Sequence, residues 1–240
     1  MGTEGVQQLS SPFGDEPCDD IPLQAAPLVR VLCQLRFDQL SILTSNNAAD
    51  EFATCLSDNY PYMERAVEFN MLVGGGSVAP QATQTPVWRL RSADRLKTVT
   101  LINGSISLET SKYLSRDKFI GELSKVAAAL QRVARVPSYS RIGFRFTNQI
   151  IGDSSLADLP NLVRPEILGI SGFKFGSGGS LDHLLSQAAF TVGPGSGLLV
   201  QWGNSLQTLG LIRPFSLSLS AHGFLIWTPL SRTPKFLLPL

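Results

Sequence analysis

Apolar and polar side chains alternate most clearly over residues 140–150, Ser-Arg-Ile-Gly-Phe-Arg-Phe-Thr-Asn-Gln-Ile. Successive side chains of an extended chain point to opposite faces, so this pattern predicts a strand with two different faces. One face is apolar except for Asn148, whose amide would cost about 1–3 kcal/mol if it were buried without hydrogen-bond partners. The other face carries Arg141 and Arg145. We expect this strand to lie at the centre of the fold.

Residues 28–37 and 87–91 also alternate, with arginines on their polar sides. Between them and the central strand, Asn103-Gly104 is a strong signal for a two-residue hairpin turn. Folding about this turn predicts four cross-strand pairs: Leu101 with Ile106, Val99 with Leu108, Thr100 with Ser107, and Thr98 with Glu109. The first two pairs share an apolar face and the last two share a polar face, so the predicted register is self-consistent.

Two stretches have the apolar period of an amphipathic helix. The first covers residues 46–66, and Pro61 is expected to end or restart it. The second begins after Ser115, a favourable N-cap, and runs to about Ala134, with Asp117 in its first turn. The predicted order is strand, helix, three-stranded meander, helix, strand. This β-α-β-β-β-α-β unit predicts an α+β fold, an antiparallel sheet with helices on one face.

The second half of the chain has a weaker pattern. Residues 156–168 predict a short helix broken by two prolines, residues 181–190 predict a helix, and residues 197–202 and 209–219 predict extended segments. The predicted organisation is a disordered acidic leader (1–26), the α+β unit (27–150), a mixed second α+β half packed on the first (151–220) and an irregular, aberrant tail (221–240).

The composition, 43% hydrophobic and 16% charged, is that of a globular protein with little charge. The net charge of +1 predicts no strong general attraction to nucleic acid or to an anionic membrane. No apolar run reaches the ~18 residues that cross a bilayer. The N-terminal residues do not resemble a signal peptide, and the three cysteines have no pairing pattern. These features predict a cytoplasmic protein.

Several segments of the first half occur together in one known family. They are Pro27 with Val31, Gln34, Arg36 and Phe37, then Tyr60-Pro61, Trp88–Ser92, Leu108–Tyr113 and Arg141–Asn148. With these segments the chain resembles a sporadically distributed family of bacterial proteins of uncharacterised function, well over residues 27–150 and poorly over 150–215. The resemblance implies no catalytic residue. Members of that family end in a strand that contains acids and in a polar helix, so the acid-free end from about Arg213 suggests a truncated or frame-shifted C-terminus.

Motifs for metal binding or nucleophilic catalysis are weak. His183 and His222 have no partner at ligand spacing, and Cys18, Cys33 and Cys55 form no Cys-x-x-Cys pair, so no metal site is expected. The sequence also lacks a Gly-x-Ser-x-Gly nucleophile motif and a Walker A loop.

Two glycine-rich stretches invite comparison with phosphate-binding loops. Gly74, Gly76 and Ala79 match the dinucleotide-binding pattern, but the prolines that follow oppose the helix that this pattern requires, so a flexible connector is favoured. Residues 193–197, Gly-Pro-Gly-Ser-Gly, are more typical of a turn than of a phosphate cradle.

Arginine is the residue type whose positions suggest a site. If the predicted strands share one sheet, one face carries five arginines that are candidates for anion binding: Arg36, Arg89, Arg91, Arg141 and Arg145, accompanied by Gln34, Thr98, Thr100 and Thr147. Guanidinium groups suit planar recognition of phosphate or carboxylate. The alternative, which we favour, is a solvated sheet face whose arginines pair with local acids such as Glu109.

The predicted function is therefore a non-enzymatic binding or interaction module, with no cofactor, no metal and no membrane. Its partner is expected to be a protein or an anionic ligand, and nucleic acid stays open. The sporadic distribution of the resembling family favours one half of a defence or toxin–antitoxin pair. The alternative is an enzyme that acts on a phosphate-containing substrate, a nucleotide or nucleic acid, and uses the arginines to stabilise charge. The scarcity of histidine and the lack of paired carboxylates weigh against that alternative.

Overall fold

The computed structural model describes residues 26–71, 82–173, 181, 183–204 and 215–223. Its strands are β1 (Leu28–Arg36), β2 (Tyr62–Met71), β3 (Ala82–Arg91), β4 (Lys97–Ile102), β5 (Ser105–Thr110), β6 (Arg141–Ile150), β7 (Ser186–Gly193), β8 (Ser196–Asn204) and β9 (Phe215–Gly223). They form one nine-stranded sheet in the order β2-β3-β4-β5-β1-β6-β9-β8-β7. Every neighbouring pair is antiparallel.

Within the described ranges, five α-helices accompany the sheet: α1 (Asn46–Leu56), α2 (Arg116–Ala134), α3 (Asp153–Ala157), α4 (Leu159–Leu162) and α5 (Pro165–Leu168). Two short 3₁₀ turns cover Ser41–Thr44 and Gly169–Gly172. Helix α2 packs on the apolar side of the sheet, where the ring of Phe119 contacts that of Phe144 in β6. The predicted α+β class, an antiparallel sheet with helices on one face, is confirmed.

The hairpin between β4 and β5 has the register that the sequence predicts. Leu101 lies opposite Ile106 and Val99 opposite Leu108, and the four side chains are buried. Gly104 in the turn has φ +103°, a conformation that glycine adopts readily and other residues rarely do.

Helix α2 begins and ends near the predicted residues. The Ser115 hydroxyl accepts a hydrogen bond from the Lys118 backbone N–H at 3.3 Å, which satisfies one of the amides at the helix start. At the other end Arg135 takes the left-handed conformation with φ +47°. The buried stripe of α2 consists of Phe119, Leu123, Val126, Ala129, Leu130, Val133 and Ala134.

The hydrophobic core lies between the two long helices and the strands β1, β3, β4 and β5. Phe52 of α1 and Leu123 of α2 are fully buried, as are Val31 and Cys33 of β1. Apart from Gly203, the described residues of β7 and β8 are partly or fully exposed, and Phe190 in β7 is 43% exposed. The described core is therefore confined to one half of the sheet.

Two predicted helices are wrong in part. The helix predicted over residues 46–66 ends at Leu56, and residues from Tyr62 onward form β2, so the meander has four strands and the unit is β-α-β-β-β-β-α-β. Pro61 stands before β2, where the residue preceding it is biased toward an extended backbone. The helix predicted over residues 181–190 is replaced by β7 from Ser186 onward.

Other predictions for the second half agree with the structure. Three short helices occupy 153–168, and α4 and α5 each have a proline in their first turn. Residues 197–202 lie in β8, and Pro194-Gly195 forms the turn between β7 and β8. Strand β9 runs to Gly223, three residues into the predicted tail.

Some predictions fall outside the described residues. These are the acidic leader through residue 25, the glycine-rich connector at 72–81, residues 205–214 and the tail from residue 224. Cys18 also lies outside, whereas Cys33 and Cys55 are free thiols.

The two faces of β4 give a test of the fold. Leu101 is fully buried, so we expect Leu101→Ala to lower the free energy of unfolding by about 2–5 kcal/mol. Its neighbour Thr100 is only partly buried on the opposite face, and we expect Thr100→Ala to cost less than about 1 kcal/mol. Urea unfolding of both variants measures the difference. Equal losses would contradict the described orientation of β4.

Candidate anion-binding surface

The strand registers place the five candidate arginines on one face of the sheet, here called the arginine face, opposite helix α2. Directly paired residues of neighbouring strands share a face, so the registers define rows across β2, β3, β4, β5, β1 and β6. One row is Glu64, Arg89, Thr100, Ser107, Gln34 and Gly143; the next is Tyr62, Arg91, Thr98, Glu109, Leu32 and Arg145; a third is Ala66, Val87, Ile102, Ser105, Arg36 and Arg141. Thr147 lies two residues beyond Arg145 on the same face.

The arginines of this face form two groups. Arg89 and Arg91 lie on β3, while Arg36, Arg141 and Arg145 lie on β1 and β6. The strands β4 and β5 separate β3 from β1, a spacing of about 14 Å at about 4.8 Å per strand. These two strands contribute mainly Thr and Ser to this face. The sequence-predicted set is therefore one face but two separate groups.

The group on β3 is neutralised in part by Glu64 of β2. Arg91 Nη2 donates to Glu64 Oε2 at 2.8 Å, and Arg89 Nη1 lies 3.8 Å from Glu64 Oε1. A similar pair joins Arg30 of β1 to Glu109 of β5 at 3.8 Å. For these three arginines the structure matches the alternative interpretation, a polar face whose charges pair locally. Exposed pairs of this kind contribute little, about 0–1 kcal/mol each.

The group on β1 and β6, here called the basic cluster (Arg36, Arg141 and Arg145), has a different arrangement. Arg36 and Arg141 are directly opposite each other in the antiparallel register. Arg36 Nε donates to Gln34 Oε1 at 3.2 Å, and no acid among the described residues is within ion-pair distance of Arg36 or Arg141. Like charges directly opposite one another destabilise a pair of strands.

The whole face has an excess of positive charge. Six arginines and three glutamates lie on it by register in the described strands β1–β6, so the arginines outnumber the glutamates by three. The low net charge of the chain hides this local excess, because the balancing acids lie elsewhere. A face of this kind attracts anions although the protein as a whole is almost neutral.

A groove borders the basic cluster at Arg141. It has a volume of about 550 Å³ and lies between the start of β6 and the hairpin of β7 and β8. Its described lining is Arg141, Ala189, Phe190, Thr191, Gly193, Gly195, Ser196, Gly197, Leu198 and Leu199. The stretch 193–197 forms the expected turn, and that turn lines a groove that contains an arginine.

A second polar cluster lies on the helix side of the sheet. The buried Tyr60 donates its hydroxyl to Glu122 Oε1 at 2.7 Å, and Lys97 Nζ pairs with Glu122 Oε2. These contacts tie α2 to β4 and to the segment before β2. The cluster satisfies its own hydrogen bonds, so its role is structural.

Asn148, the polar candidate on the apolar face of β6, is only half-buried. Water therefore still reaches its amide, so the amide does not need a hydrogen-bond partner from the protein.

Two residues of the arginine face were missed by sequence reasoning. Glu64 was assigned to a helix, and its role as the acid beside Arg89 and Arg91 depends on β2 being a strand. Arg30 was placed on the correct side of its strand but was not included in the candidate set. The sequence around Glu64 contains a weak signal for a strand. Met63, Arg65 and Val67 alternate with Glu64 and Ala66, but both sides of this alternation carry a charged residue, so neither side is clearly apolar.

No described group of three His, Cys, Asp or Glu side chains is arranged to hold a metal ion. Among the described helices, none has the length and apolar character to cross a membrane. Comparison of the chain with protein-family models and with curated proteins gives no match. The resemblance to a bacterial family therefore remains a prediction.

The buried Tyr60 gives a pH-dependent test. Burial, and then its hydrogen bond to the Glu122 carboxylate, raise the pKa of Tyr60 above its ordinary value of 10.0. The unfolded chain loses this proton first, so the contribution of Tyr60 to stability is present below about pH 10 and is lost as the pH rises through the folded-state pKa. Burial also raises the pKa of Tyr139, to about 12, so part of the alkaline loss persists without Tyr60.

We therefore expect the free energy of unfolding of the wild type to fall between about pH 8 and about pH 10.5, and Tyr60→Phe to lose less over the same interval. Urea unfolding at both pH values measures the two losses. Tyr62→Phe, at a position that is 49% exposed, is the control and should behave like the wild type. An unchanged pH dependence in Tyr60→Phe would contradict the described environment of Tyr60.

Proposed function

We propose that this protein is a non-enzymatic binding module whose arginine face takes an anionic ligand or the acidic surface of a partner. The observation that carries the proposal is the direct opposition of Arg36 and Arg141 across β1 and β6. Two cations held at neighbouring strand positions repel each other, and an anion placed between them turns that repulsion into attraction.

The neighbours of this arginine pair include residues that can bind an anion. The described residues next to Arg36 and Arg141 in the registers are Gln34 and Gly143 in one row, which continues to His222 in β9, and Ser105 in the other. None of these neighbours is a carboxylate that would compete with an anion for the arginines. Arginine forks recognise phosphate and carboxylate oxygens through two parallel hydrogen bonds.

The distribution of charge favours a ligand with several anionic groups. The face has an excess of three positive charges, its arginines are spread over β3, β1 and β6, and a single small anion would contact only some of them. An extended polyanion, such as polyphosphate, single-stranded nucleic acid or an acidic protein segment, gains from each contact and releases the counterions bound to it. The resemblance to a sporadically distributed bacterial family adds the expectation that the natural partner belongs to a two-protein system.

The opposed arginine pair permits a charge reversal that separates binding from folding. Arg141→Glu places a carboxylate opposite Arg36, so we expect a free energy of unfolding that is equal to or slightly above that of the wild type, by up to about 1 kcal/mol. Polyphosphate binding, measured by titration calorimetry at low salt, should weaken at least about tenfold, which corresponds to about 1.4 kcal/mol.

Lys125→Glu is the matched control for this experiment. Lys125 is exposed on α2, on the other side of the sheet, and the substitution makes the same change in net charge. Equal weakening by both variants would mean that only the total charge matters, and the proposal would then be wrong. Wild-type protein that melts cooperatively and binds neither polyphosphate nor single-stranded DNA would also contradict it.

A further inference from the structure

The described sheet ends in two edge strands, β2 on one side and β7 on the other. An edge strand has backbone N–H and C=O groups on its outer side, and these groups can pair with a strand from another chain. Proteins commonly prevent such pairing with charged side chains or with proline on the edge. The two edges of this sheet differ in that respect.

Strand β2 has the charges that discourage pairing. It contains Glu64, Arg65 and Glu68. Arg65 Nη2 donates to Asp50 Oδ1 at 2.6 Å, and Glu64 Oε2 accepts from Arg91 at 2.8 Å. A further strand at this edge would have to accommodate these charges, so β2 is poorly suited to pairing with another chain.

Strand β7 has no such protection. Its eight residues, Ser186–Gly193, include no charged residue and no proline. Five of the eight are exposed, among them Val192 at 46%. Among the described strands, β7 pairs only with β8. Its phenylalanine, threonine and valine favour an extended backbone. An accessible, uncharged strand of this composition is the kind of edge to which another strand is added.

The sequence of β7 is also complementary to itself. Directly paired residues of antiparallel strands share a face, so the two-fold axis of a pair of identical strands passes through one residue, which then faces its own counterpart. An axis at Ala189 sets Ala188 opposite Phe190, a small side chain opposite a large one. On the other face it sets Gln187 opposite Thr191, two side chains that form hydrogen bonds. No pair in this register brings like charges together.

We infer that two copies of this chain pair through β7, antiparallel and about a two-fold axis at Ala189, so that their sheets join into one. The assembly closes at two copies, because the pairing uses the β7 edge of each copy and leaves the charged β2 edges at the two ends of the joined sheet. The inference is independent of the proposed anion binding, since β7 carries none of the arginines.

The test is the mass of the full chain in solution, measured by sedimentation equilibrium over a range of concentrations. The wild-type mass should approach twice the chain mass of 26.0 kDa and should not exceed it. Ala189→Lys places two like charges directly opposite each other at the axis, so we expect the dissociation constant of the dimer to rise at least about tenfold. Urea unfolding establishes that the variant is folded. If it is not, Thr191→Lys, which also adds a charge to the exposed edge, replaces it.

Val67→Lys is the matched control for the added charge. Val67 is 49% exposed on β2, the opposite edge of the sheet. The dissociation constant of this variant should stay within about twofold of the wild-type value.

A mixture of two variants tests the position of the axis. Ala189→Glu alone should weaken the dimer as Ala189→Lys does, because it also places like charges opposite each other. An equimolar mixture of Ala189→Lys and Ala189→Glu should form a heterodimer, because opposite charges then face each other across the axis.

Each alternative outcome overturns a stated part of the inference. A wild type whose mass stays at 26.0 kDa at every concentration overturns the dimer, and if it still binds polyphosphate, the proposed function is unaffected. Equal effects of Ala189→Lys and Val67→Lys overturn the location at β7. A mixture of Ala189→Lys and Ala189→Glu that stays monomeric overturns the axis at Ala189. Assemblies larger than two copies overturn the closure of the assembly.

Discussion

The pairing of β1 with both β5 and β6 is the constraint on which the rest of the structure depends. This strand joins the four-stranded meander on one side to the strands of the second half on the other. Because side chains alternate along a strand, a shift of one residue in β1 would move Arg36 into the core and Leu35 into solvent. The burial of Val31, Cys33 and Leu35 therefore determines which way the arginines of three strands point.

The elements that the sequence predicts correctly are those with one buried face. The β4–β5 hairpin and β6 have strict alternation because one side of each meets the helices, and α2 has a continuous apolar stripe for the same reason. The two wrong predictions fall on β2 and β7, which are the two edges of the described sheet. An edge strand pairs on one side only and is less buried, so its sequence needs no strict alternation and is easily taken for a helix.

The sequence predicts that the five candidate arginines share one face of the sheet, but it does not predict that they form two separate groups. Sequence alternation places all five candidates on one face, and the registers agree. The separation of Arg89 and Arg91 from Arg141 depends on strand order, which is a non-local property that alternation does not contain. The groove was out of reach for the same reason, because it joins β6 to a hairpin about fifty residues later in the chain. Alternation along one strand identifies the face of the sheet on which each side chain lies, whereas identifying a site also requires knowing which strands are neighbours.

The restriction of the described core to one half of the sheet has a consequence for how the molecule moves. Backbone hydrogen bonds in β4 and β5 lie over fully buried side chains such as Leu101, so they open only when most of the protein unfolds. Strands β7 and β8 continue the same sheet with side chains that remain partly exposed, so their hydrogen bonds break in smaller local fluctuations. Amide protons of one continuous sheet would then exchange with solvent on two different timescales, slowly in β4 and β5 and faster in β7 and β8.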